Sequence, residues 1–175
     1  MRFWKRRSGV ESRSTLRGMA YTLVAIGAAL WTAGTLAAPL LACTGAHPGA
    51  SAVARLVYAP MCHQDTDRSW RVCGRPVSVC HRCSGIYAAF TTVLLVLPIA
   101  AGRLIRRLRM RKYTLAVFLL PVLLDYFLDV AGLLANSPVS RTATGALAGI
   151  GLALFVAIGT AELEDERRTR FTLSS

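Results

Sequence analysis

The sequence predicts an all-α polytopic membrane protein with four transmembrane helices and both termini in the cytoplasm. Three observations carry that expectation. Apolar residues make up 54% of the 175-residue chain, and its mean hydropathy is +0.45. They gather in four long runs, and a run of about 20 apolar residues spans a bilayer. The runs lack period-two alternation, which argues against a β-barrel. The third observation is where the basic residues lie. Arg2, Lys5, Arg6, Arg7, Arg13 and Arg17 precede the first run. Arg103, Arg106, Arg107, Arg109, Arg111 and Lys112 separate the second from the third. Short basic segments beside spans stay in the cytoplasm.

A net charge of +12 first suggests nucleic acid. Its placement accounts for it as topology, so no nucleic-acid partner is expected. The expected partners are the bilayer itself and anionic lipid headgroups at the basic cytoplasmic segments. Four spans are few for a solitary transporter, which leaves room for a homo-oligomer.

In chain order, residues 1–17 form a basic cytoplasmic tail and residues 18–42 the first span. A signal peptide has the same basic head and apolar body, but this stretch is long for one and further spans follow. The residues ending at Cys43 faintly resemble a lipoprotein cleavage box that Leu41 fits poorly; Cys43 reads as a small apolar residue at a helix end. Residues 43–83 form an outer Cys/His-rich loop, opened by the turn formers Gly45, Pro48 and Gly49. Within it, residues 52–58 have the pattern of a short amphipathic helix. The second span covers 84–101, with Pro98 expected to kink it, and 102–112 is a basic cytoplasmic loop. The third span, 113–135, contains Pro121, Asp125 and Asp129. Residues 136–140 are an outer turn. The fourth span, 141–161, carries Gly145, Gly149 and Gly151, small residues whose spacing lets helices approach closely. Residues 162–175 are a mixed-charge cytoplasmic tail.

The chemistry concentrates between residues 61 and 87. Four of the five cysteines and two of the three histidines lie there. Cys80 and Cys83 form a C-x-x-C pair, able to hold one metal ion or form one redox disulfide. Cys62, His63 and Cys73 can close on it from upstream, and His81 lies inside it. An early start to the second span would put Cys80, Cys83 and Tyr87 on one helix face. Thiolates and imidazoles suit zinc first, with copper and iron as alternatives. Ser84 follows Cys83, so the c-type haem motif is absent. Three readings stand together. A disulfide or structural zinc would staple the loop of a non-catalytic assembly subunit; disulfides are common outside the cytoplasm. A functional metal site would use Cys62, Cys80 and Cys83 with His63, and Cys73 or His81 as further candidates. A thiol–disulfide oxidoreductase would use Cys80/Cys83 and Cys62/Cys73, linked to a quinone, an architectural likeness to quinone-linked disulfide oxidases. The neighbouring histidines favour metal.

Asp125 and Asp129 form the second signal. A carboxylate within a span costs roughly 3 kcal/mol or more on insertion scales, so it faces a partner or a cavity. Four residues apart, the two share a helix face in the outer half of span three. Arg141 opens span four at that level. An Asp129–Arg141 pair joining the spans is one reading. Asp125 reads as a proton acceptor or cation ligand, with Arg141 and Tyr87 as further catalytic candidates. Arg68 and Arg141 would hold an anionic substrate or balance the acids.

These residues also carry a family likeness. Cys62-His63-Gln64, Arg68-Ser69, the run Cys80-His81-Arg82-Cys83-Ser84-Gly85-Ile86-Tyr87, then Pro121, Asp125, Arg141, Thr144-Gly145 and Gly149 resemble the family called domain of unknown function 2085. Its members are small prokaryotic membrane proteins, and the likeness covers roughly residues 55–150. It implies a prokaryotic cell-membrane location and supports the site residues, but it supplies no reaction. The chain departs from the family pattern at Tyr126 and Asp129, which leaves Asp125 as the carboxylate the resemblance carries. Cys73 is not a family position.

Overall fold

A computed structural model describes residues 21–45, 48–105 and 114–173, with side chains at 21–45, 49–98 and 115–159. The basic tail 1–17 and residues 106–112 of the second basic cluster lie outside the described residues, as do the side chains of 162–175. The chain is mostly helical, with six α-helices among the described residues. They are α1 (Tyr21–Gly34), α2 (Ala37–Cys43), α3 (Pro48–Leu56), α4 (His81–Ile105), α5 (Thr114–Val130) and α6 (Pro138–Leu173). A short 3₁₀ turn, Thr66–Arg68, and a two-stranded hairpin, β1 (Arg71–Val72) with β2 (Arg75–Pro76), lie between α3 and α4. Arg71 faces Pro76 and Val72 faces Arg75 in the antiparallel pair.

The first expected span is two helices bent by 40°. Pro39 explains the bend. It has no N–H to give to the Thr35 carbonyl one turn earlier, so the helical ladder is interrupted there. The Ser78 N–H takes that carbonyl instead, at 3.1 Å. A helix break thereby becomes an anchor for the cysteine loop.

The other boundaries follow local capping chemistry. α5 stops at Val130, short of the expected 135, because Gly132 adopts φ +70 and its N–H returns to the Asp129 carbonyl at 3.1 Å. α6 begins at Pro138, before the expected 141. The Ser137 hydroxyl accepts the Ser140 N–H at 3.1 Å and proline takes the first helical position. The amphipathic helix expected over 52–58 is α3, begun four residues earlier at Pro48.

α4 and α6 form the central pair. A Cβ on Gly145 would meet the Arg82 carbonyl, one on Gly149 the Ile86 carbonyl, and one on Gly85 the Thr142 carbonyl. The backbones therefore touch where the glycine spacing predicts close approach. Gly151 similarly admits the Phe118 ring of α5. α1 joins through Ala25, which packs with Leu94 of α4 and Ala153 of α6, and through a Thr32–Thr91 hydroxyl contact of 2.8 Å. Gly145→Leu is expected to destabilise the bundle by about 1–3 kcal/mol or more, read as thermal unfolding in detergent. Gly27→Leu, with nothing within 4 Å of its Cβ position, should be near neutral.

Among the described residues one helix is long and apolar enough by itself to cross a membrane, Pro138–Gly159 of α6; α1 and α2 pass the same criterion as a bent pair. Large apolar side chains point outward on α1 and α5. Leu30 is 69% exposed, Val117 67% and Phe127 63%.

Candidate metal centre

The site is built where the loop after α3 meets the first turn of α4. Cys62 ends a turn that follows α3, its N–H donating to the Tyr58 carbonyl at 3.0 Å. Tyr58 is buried and its hydroxyl donates to the Trp31 carbonyl of α1 at 2.7 Å. Gln64 then adopts φ 53, rare for a residue with a side chain. Its amide explains why that conformation holds. Nε2 donates to the Arg55 carbonyl at 2.6 Å and to the Ser78 carbonyl at 2.8 Å. Gln64 thus ties α3 to the segment that enters the C-x-x-C turn.

With both segments fixed, Cys62, Cys80 and Cys83 converge. Their three Sγ atoms lie within 4.8 Å of one another. Cys62 is buried, and its sulfur accepts the Cys80 N–H at 3.2 Å and the Gln64 N–H at 3.5 Å. The neighbouring thiols of Cys80 and Cys83, and after them these two N–H groups, hold the Cys62 thiol well below its usual range. The Cys62 sulfur is therefore the acceptor of the group, with two backbone N–H groups aimed at it and the other two sulfurs beside it. Val77 and Val79 pack around the group, with Trp31 and Tyr87 against it. Tyr87 meets Trp31 edge-on at 6.3 Å.

The other expected ligands stand apart. Cys73 is disulfide-bonded to Cys43, with their Cα atoms 6.1 Å apart. This corrects both its place in the metal set and its pairing with Cys62. The reason is a tight hairpin turn, Cys73 at φ 50 and Gly74 at φ 71, which turns Cys73 toward the end of α2. His63 is exposed and outside the sulfur group. His81 is buried and also outside it; its ring sits edge-on to Trp70 at 4.7 Å. His81 Nδ1, Ser84 Oγ and Arg141 Nε are buried without a hydrogen-bond partner among the described residues. Because the disulfide lies outside the three-sulfur group, Cys43→Ser/Cys73→Ser should lower stability by roughly 3–4 kcal/mol through release of a 30-residue loop. Bound metal should be unchanged, as read by denaturant unfolding and metal content.

Beside the C-x-x-C turn lies a partly buried ion network. Asp125 was expected to stand as a proton acceptor or cation ligand, but Arg82 occupies it. Arg82 Nε donates to Asp125 Oδ2 at 2.7 Å, and its NH2 lies 2.6 Å from the same oxygen. That NH2 also reaches Asp129 Oδ2 at 3.5 Å. Asp129 pairs with Arg141 at 2.9 Å, as the sequence allowed, and with Arg68 at 3.2 Å. The Asp125 and Asp129 side chains are only 8% and 9% exposed. Arg82 carried no role in the sequence reading. Its position inside C-x-x-C was visible, but its reach to a carboxylate 43 residues away was not.

No solved structure matches the chain. An uncharacterised protein of Methanothermobacter thermautotrophicus is 34% identical over 105 residues, 56% of this chain and 86% of that one. An uncharacterised protein of Methanocaldococcus jannaschii is 29% identical over 104 residues, 57% of this chain and 64% of that one. The predicted membrane protein family DUF2085 matches residues 62–155, which contain all three clustered cysteines and the four largely shielded charges Arg82, Asp125, Asp129 and Arg141. The chain belongs to that family.

Proposed function

We propose that this protein is a four-span cell-membrane protein that holds one transition-metal ion, zinc first, on Cys62, Cys80 and Cys83 at its outer face. The observation that carries the reading is the convergence of three sulfurs within 4.8 Å from two separate segments. Sulfurs around a tetrahedral zinc, at Zn–S of about 2.3 Å, lie about 3.8 Å apart. The N–H groups of Cys80 and Gln64 on the Cys62 sulfur support it, since they stabilise a thiolate. A disulfide supports placing the loop outside the cytoplasm. Three neighbouring thiols in an oxidising compartment are prone to pair and leave one odd, and a metal ion protects all three.

The four spans would be α1 with α2, α4, α5 and α6. The 25 residues of α4, the 17 of α5 and the outward apolar side chains support this. Basic segments inside and the cysteine loop outside follow from the charge placement. Three protein ligands leave a fourth position for water or substrate, the pattern of catalytic rather than closed structural zinc. The site therefore suits a metal-dependent membrane enzyme or a metal-handling protein. The bilayer and anionic headgroups remain the partners it proposes.

The test is metal content by inductively coupled plasma mass spectrometry, on detergent-purified protein without a histidine tag, with free thiols counted. About one ion per chain is expected, absent from Cys80→Ser/Cys83→Ser. Protein without metal and with a Cys80–Cys83 disulfide would replace this reading with thiol–disulfide exchange.

A further inference from the structure

We propose that Arg82 and Asp125 are positioning residues for the three-sulfur site, so that retention of metal depends on an ion pair between α4 and α5. The inference rests on the metal reading above and extends it to how the site is controlled. The sulfur group has two halves. Cys62 belongs to the loop after α3, whereas Cys80 immediately precedes α4, its carbonyl accepting the Ser84 N–H at 2.9 Å, and Cys83 lies in the first turn of that helix. Their geometry depends on how that loop and that turn are held together.

The ion network joins the same two halves. Arg82 lies between Cys80 and Cys83, and it grips Asp125 with two nitrogens and reaches Asp129. Arg68, on the 3₁₀ turn six residues after Cys62, also ends on Asp129. Asp129 thus receives one guanidinium from each half of the sulfur group, and Arg141 fixes it to α6. The Arg82 carbonyl lies against Gly145, so the turn has no room to shift toward α6. A helix's first turn has few hydrogen bonds of its own and frays easily. Here the Arg82 fork supplies the restraint that the turn lacks. Supporting residues one step from a metal ligand typically change metal affinity 10- to 100-fold, because ligands must be held to about half an ångström.

A single substitution leaves a buried charge alone and can simply unfold the protein. Arg82→Met/Asp125→Leu removes both charges together, an exchange that proteins often tolerate. The probes are Co(II) and a trivalent aryl arsenical, applied to the full chain in detergent. The expected result is a folded double variant, judged by circular dichroism and monodisperse elution, that binds Co(II) roughly 10- to 100-fold more weakly. Its sulfur-to-cobalt absorption at saturation should also shift. Asp125→Glu should retain more affinity than Asp125→Asn. A folded double variant with wild-type Co(II) affinity and spectrum overturns the proposal. The arsenical bridges neighbouring thiols without any native metal, and so separates the two ideas. If the wild type takes no Co(II), the metal reading fails alone. Weaker arsenical capture by the double variant then still supports positioning by Arg82 and Asp125, and equal capture overturns it. Should the double variant not fold, Asp125→Glu read against Asp125→Asn with the same probes decides: equal affinities in the two overturn the proposal.

Discussion

Arg82→Ala is expected to destabilise the protein by roughly 3–5 kcal/mol, the range for breaking a buried ion pair from one side. The large value comes from what is left behind. Asp125 is 8% exposed and would lose both guanidinium nitrogens, with only the more distant charges of the network to offset its burial. Arg82 also lies 5.7 Å from the centre of the Tyr126 ring, so its removal uncovers part of that ring as well. Arg82→Met/Asp125→Leu should recover most of the loss, because no unpaired charge remains. Arg75→Ala is the control. Arg75 is exposed on the hairpin, and its change should stay within about 0.5 kcal/mol. Denaturant unfolding of the four proteins in one detergent checks this. A loss in Arg82→Ala as small as the Arg75 control would mean that the network is solvated.

What could be read from the sequence separates by the range of the interaction. The helical class follows from continuous apolar runs, and the close α4–α6 contact from the spacing of Gly145 and Gly149, both local patterns. Cys80 and Cys83 are three residues apart and so obliged to be neighbours. Cys62 was placed with them by residue type alone, and the structure agrees on that trio. The misplacements involve pairings that local pattern does not encode. Cysteine connectivity is one, since residue spacing leaves several pairings open. Cys73 found Cys43 because a two-residue turn at Cys73-Gly74, without the usual Asn-Gly signal, reversed the chain. The partner of Asp125 is another. Arg82 was read as part of a cysteine motif, and nothing near either residue in sequence announces a contact across 43 positions. Gln64 is the third. Its φ of 53 and its two carbonyl contacts appear only once α3 and the segment around Ser78 are packed. Pro39 was legible in principle, because the lack of an N–H dictates a free carbonyl at Thr35. That Ser78 would take it was not.

Cys62→Ser is expected to abolish the stabilisation that zinc gives the wild type. An ion bound to the folded chain alone stabilises it by RT ln(1 + [ion]/Kd), about 4 kcal/mol when free ion is 1,000-fold above Kd. Stripped wild-type protein should therefore unfold at a distinctly higher temperature after zinc is added back. Serine is the informative replacement. Its oxygen still accepts hydrogen bonds, so the Cys80 and Gln64 N–H groups that now end on the Cys62 sulfur keep an acceptor in their buried setting. The apo proteins should then differ little, while the response to zinc disappears with the third thiolate. Free thiols counted before and after zinc give a second reading. All three should be shielded in the wild type, and the two that remain should stay reactive in the variant. If Cys62→Ser kept the full zinc response, Cys80 and Cys83 alone would account for binding. The buried sulfur of Cys62 would then be part of the core around Val77 and Val79 and not a ligand.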